Sequence, residues 1–118
     1  MRPLLPLLAL LVAGHASGEE AGALSGKARA LAPETVVIKG TRVRFAGFSA
    51  PSADARCGEG ACADAATERL AELVAGGPLT CSRAARLGHG VYAGSCRLAD
   101  GRDPARVLAD EGLLRPTR

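Results

Sequence analysis

The sequence predicts a small α+β domain with a barrel as its leading architecture. Three observations carry that prediction: short strand-like runs flank one long helical stretch, turn residues punctuate nearly every boundary, and the length allows one domain. The chain has 118 residues with no Trp, one Tyr and two Phe. Its hydrophobic fraction of 47% is inflated by alanine and by a leucine-rich start, so the core is thin. A repeat or multidomain organisation is excluded.

Residues 1–18 read as a secretory signal peptide. Met1 and Arg2 give a positive start, Leu4 to Val12 an apolar run, and Gly14, Ala16 and Gly18 the small residues that signal peptidase prefers. That run is about half the roughly 20 residues a membrane-spanning helix requires. Residues 19–25, rich in Gly, Ala and Glu, are expected to be a flexible mature N-terminus, and residues 26–118 the folded domain. The product is expected to be secreted or periplasmic. Beyond residue 18 there are 14 Lys and Arg against 12 Asp and Glu, which excludes a broad basic field and leaves room only for a local patch.

Lys27 to Ala32 and Thr35 to Ile38 read as extended. Lys39-Gly40 supplies a tight turn into a strand from Thr41 to Phe48, whose alternation sets Val43 and Phe45 on a buried face and Arg42 and Arg44 on a basic one. Ser49-Ala50-Pro51-Ser52 is turn-like because proline fixes its own φ and pushes its neighbour toward an extended conformation. Cys62, Ala66, Leu70, Leu73 and Val74 then recur at helical spacing, and Gly76-Gly77-Pro78 stops the helix. Leu79 to Arg83 and Val91 to Leu98 read as two strands joined by a loop from Ala84 to Gly90. Asp103 suits an N-cap, with Pro104 in the first helical position of a short helix that Gly112 ends.

All four cysteines, Cys57, Cys62, Cys81 and Cys96, lie beyond the signal peptide, and an even number in a small exported domain favours two disulfides. The preferred pairing is local, Cys57 with Cys62 and Cys81 with Cys96 across the hairpin. The rival is a four-Cys zinc site, whose usual pair of short-spaced knuckles is missing here.

From Lys27 to Ser52 the pattern resembles the staphylococcal-nuclease-like, or thermonuclease, family. Members carry an Asp-Gly-Asp-Thr turn, a hairpin, and a strand ending in Arg-Leu-x-Gly-Ile-Asp-x-Pro-Glu. The matching stretches are Ala32-Pro33-Glu34-Thr35 and Arg44-Phe45-Ala46-Gly47-Phe48-Ser49-Ala50-Pro51-Ser52. The likeness continues through Cys57-Gly58, the Ala-rich helix, Leu79-Thr80-Cys81 and Gly90 to Cys96, and ends at Ala105 to Gly112. It implies an OB-type five-stranded β-barrel with one main helix and a short C-terminal helix, and, in active members, calcium-dependent cleavage of DNA and RNA.

Carried over residue by residue, the resemblance puts Arg44 on the first catalytic Arg and Glu34 on one metal-binding Asp. Ser49 replaces the second metal-binding Asp, Ser52 the general-base Glu, and Val91 the second catalytic Arg. A hard cation binds mainly through anionic oxygens, and a serine hydroxyl without a base does not activate water. The expectation is a degenerate nuclease-like domain, its family-type activity lost, that needs no cofactor. It would act as a non-catalytic binding or interaction module for nucleic acid, another phosphate-bearing ligand or an envelope partner. The alternative is an active calcium-dependent phosphodiesterase with a shifted carboxylate from Asp54 or Glu59. His89, in a Gly-flanked loop, reads as a surface side chain.

Overall fold

A computed structural model describes residues 22–117. The signal peptide expected at 1–18 lies outside the described residues. The fold is α+β, mostly strands, with two helices among the described residues.

Five strands form the main sheet. β2 (Ala28–Ala32), β3 (Thr35–Ile38) and β4 (Thr41–Phe45) are a meander, and β10 (Val91–Gly94) lies parallel to β4, with β9 (Ala85–Gly88) antiparallel at the far edge. The turn between β3 and β4 is tight because Lys39 and Gly40 both adopt positive φ, at 51° and 79°. That is the backbone a two-residue hairpin favours, since its twist matches that of the strands. His89 and Gly90, at 54° and 76°, repeat the device between β9 and β10. A second sheet holds β1 (Ala23–Gly26), β8 (Leu79–Ser82) and β11 (Cys96–Arg97).

Helix α1 (Cys62–Val74) buries the positions its periodicity marked: Cys62, Ala66, Leu70, Leu73 and Val74. Its leucines and Val74 pack with Val36, Ile38 and Val43 of the sheet and with Leu108 of helix α2 (Pro104–Asp110). Each large apolar side chain so buried contributes about 1.5 to 3 kcal/mol before the entropy cost of ordering it. Asp103 caps α2, its carboxylate accepting from the Ala105 N–H at 2.9 Å and the Arg106 N–H at 3.4 Å, with Pro104 in the first turn. Arg69 of α1 reaches across and donates to both carboxylate oxygens of Glu111, each at 2.9 Å. That donation holds the Glu111 carboxyl below its ordinary range.

The structure differs from the sequence reading in several places. The strand expected over Val91 to Leu98 divides into β10 and β11, which lie in different sheets. Ala23 to Ser25, expected within the flexible N-terminus, belong to β1 and pair in register with β8. The expected loop from Ala84 to Gly90 contains β9. The strand expected over Thr41 to Phe48 stops at Phe45, turns at Ala46-Gly47, and resumes as β5 (Phe48–Ser49), which pairs with β12 (Arg115–Pro116). The ladders form separate sheets rather than one closed ring. A physical reason lies at Pro78, immediately before β8: it has no N–H with which to extend the β1–β8 ladder alongside β2.

Disulfides join Cys57 to Cys62 and Cys81 to Cys96. The first closes the small loop of β6 (Arg56–Cys57) and β7 (Gly60–Ala61) onto the first residue of α1. The second links directly opposite residues of β8 and β11 inside the core. Two disulfides fit an oxidising compartment. No helix among the described residues is long and apolar enough to cross a membrane.

Candidate functional site

The site predicted from sequence is built on the β2–β3 turn and on β4. Glu34 sits in that turn, where its carbonyl accepts from the Phe45 N–H at 2.9 Å, tying the turn to the end of β4. The side chain is partly buried, and its Oε1 is buried with no hydrogen-bond partner among the described residues. Arg44 is exposed on β4, opposite Thr35 of β3 and Ala93 of β10. Val91 is opposite Arg42, so it shares the outward face of the sheet with Arg44, one strand over and two residues along. The ladder register thus assembles Arg44 and Val91 on one face, with Glu34 at the end of the adjoining strand.

Ser49 and Ser52 lie outside this sheet. Ser49 is in the two-stranded β5–β12 ladder opposite Arg115, whose Nε donates to the Ala50 carbonyl at 3.0 Å. Ser52 is exposed, and its carbonyl accepts from the Ala55 N–H at 3.0 Å, which makes residues 52–55 a turn. Asp54 is exposed in that turn. Glu59 is exposed within the loop closed by Cys57 and Cys62, its carbonyl taken by the Arg56 guanidinium at 2.7 Å. His89, with its positive φ, occupies the exposed tip of the β9–β10 hairpin.

Among the described residues, no three His, Cys, Asp or Glu side chains come together in a group able to hold a metal ion. Glu34, Asp54 and Glu59 therefore do not form one. The positions that the resemblance would give to metal ligands offer one carboxylate, Glu34, and one hydroxyl, Ser49, where calcium takes six to eight oxygens, largely anionic. This donor set does not fit a calcium centre. What it can do chemically is present the exposed Arg44 guanidinium to an anion.

Two residues at or near the site escaped the sequence reading. Arg115 stands opposite Ser49 because of a two-residue pairing across most of the chain, for which the sequence carries no local signal. Arg29 falls in line with Arg42 through Val37, a consequence of strand register. The half-buried aromatic rings are engaged by cations. The Arg106 guanidinium lies 5.3 Å from the Phe48 ring centroid and that of Arg83 lies 5.7 Å from Tyr92.

No family model matches the chain. It is 33% identical over 116 residues to the succinoglycan biosynthesis protein ExoI of Rhizobium meliloti (strain 1021), a match covering 90% of this chain and 58% of that protein. The chain thus spans less than two thirds of the relative's length.

Proposed function

We propose that the chain is an exported nuclease-like domain whose catalytic centre has lost most of its charged groups, and that it works by binding rather than by cutting. The observation that carries this reading is the depleted donor set, in which Glu34 alone keeps a carboxylate. Ser49 and Ser52 occupy the positions that the resemblance assigns to a metal ligand and a general base, and Val91 the position of an arginine. The reading includes the finer architecture. The strand run through β1 and β2, bending at Lys27 from one sheet to the other, is taken as part of the wall of an OB-type five-stranded barrel. Two disulfides support residence in the periplasm or outside the cell. The name of the relative supports, as part of this proposal, a binding role connected with polysaccharide biosynthesis.

A rival reading, an active calcium-dependent phosphodiesterase, draws on the unpartnered Oε1 of Glu34. Cleavage of DNA and RNA by the refolded mature protein, in calcium and in EDTA, separates the two. Loss of a general base alone costs about 10² to 10⁴ in rate, so the expected result is no calcium-dependent cutting above buffer. Cutting that requires calcium and disappears in Arg44→Ala would install the rival.

A further inference from the structure

A near-neutral sum conceals two bodies of opposite sign. Residues 23–49 and 79–97, which hold both larger sheets, carry eight Lys and Arg against Glu34 alone. Residues 50–78 and 98–117, which hold both helices, carry nine acids against five Arg. Two of those five, Arg69 and Arg102, are already in ion pairs. The acids other than Glu34 therefore fall in the segments that hold the helices and their flanking loops, and no strand residue on the outward face of the main sheet is acidic.

Register defines that face. Arg29, Val37, Arg42 and Val91 are successive cross-strand partners through β2, β3, β4 and β10, and Thr35, Arg44 and Ala93 form the next outward row. Arg29, Arg42 and Arg44 are exposed, and none has an ion-pair partner among the described residues. Arg42 and Arg44 lie ~7 Å apart along one strand, and Arg29 and Arg42 ~10 Å apart across two strand spacings. Uncharged Val37, Val91, Thr35 and Ala93 lie between and beside them, so this face is cationic.

We propose that this face binds an acidic polysaccharide, a glycan chain carrying carboxylates. The proposal rests on the binding-module reading and names its ligand class. Unpaired guanidiniums match carboxylates through bidentate hydrogen bonds, and the ladder row that holds Arg29 and Arg42 contains no acid. The wider spacing suits charges repeated along an extended sugar chain. Single-stranded nucleic acid is less well served, because that mode needs open aromatic rings for the bases. Phe45 is buried, Phe48 lies under Arg106, and Tyr92 is opposite the buried Val43 with Arg83 over its ring.

The test is equilibrium binding of the mature protein to polygalacturonate in EDTA, with dextran as the neutral probe and duplex DNA as the competitor. Polygalacturonate should bind at low salt and be released as salt rises, while dextran does not bind. Arg29→Ser with Arg42→Ser should weaken binding about tenfold, and each single change about threefold. Arg56→Ser, on the acidic body, should leave it unchanged. No binding to polygalacturonate, equal binding to dextran, unchanged affinity in the variants, or tighter binding of DNA at the same salt would each overturn the assignment. Such a failure without DNA cleavage leaves the non-catalytic reading standing. Calcium-dependent cleavage defeats that reading whatever the glycan result.

Discussion

Replacing Cys81 and Cys96 together by alanine should lower the unfolding free energy by about 3 to 5 kcal/mol, read as a shift in the urea midpoint. Both residues are 1% exposed and directly opposed in the β8–β11 ladder, and their bond closes a loop of sequence separation 15. In the chain-entropy picture a loop of that length is worth about 3 kcal/mol, and alanine also leaves unfilled volume in the core. A domain of this size has about 5 to 10 kcal/mol in total, so the variant should be close to unfolded at 37 °C. Cys57 and Cys62 provide the contrast. Their bond has a sequence separation of only 5 and Cys57 is incompletely buried, so removing it should cost about 2 kcal/mol and leave the sheets intact. Equal losses from the two double variants would show that the core disulfide has no special place in this fold.

Gly94→Ala should cost about 2 to 3 kcal/mol although it adds one methyl group. Gly94 is buried at the end of β10, and a Cβ at this position would overlap the Ser82 carbonyl. Ser82 cannot retreat easily. Its N–H donates to the Ser95 carbonyl at 2.9 Å, its Oγ accepts from the Ser95 N–H at 3.1 Å, and its neighbour Cys81 is bonded to Cys96. The Gly94 carbonyl also accepts from the Ala46 N–H at 2.9 Å, so a displaced backbone would disturb the turn that follows Arg44. Gly60→Ala is the control, because a methyl group there would meet nothing within 4 Å and the backbone φ is ordinary. It should stay within about 0.5 kcal/mol of the parent protein. Thermal unfolding followed by circular dichroism reads both, and a Gly94 variant as stable as the Gly60 variant would refute the close-approach argument.

Local chemistry made much of this fold legible. Lys39-Gly40 announces a hairpin because glycine tolerates positive φ. Leu70, Leu73 and Val74 repeat at the helical period, and Asp103-Pro104 is a cap followed by a preset φ. Alternation from Arg42 to Phe45 correctly sorted exposed from buried side chains, and with them the outward position of Arg44. The elements it missed are held by distant partners. β1 is Ala-Leu-Ser-Gly, with little propensity of its own, and exists through pairing with β8. All four residues of β9 are exposed, so the strand has no hydrophobic alternation to read. Around Arg44 the exposed face was legible and the neighbourhood was not. Nothing local places Arg115 opposite Ser49 or Arg29 in line with Arg42, and a summed net charge cannot reveal that acids and bases occupy different bodies.

If the metal centre is lost as proposed, calcium titrated into the mature protein in a calorimeter should give no saturable heat. Weak extracellular calcium modules still bind at about 10⁻⁴ to 10⁻³ M, so the titration should reach several millimolar. The traces for the parent protein and for Glu34→Gln should be identical. Saturable one-site binding that Glu34→Gln abolishes would contradict the loss of the metal centre, because Glu34 would then be a working ligand.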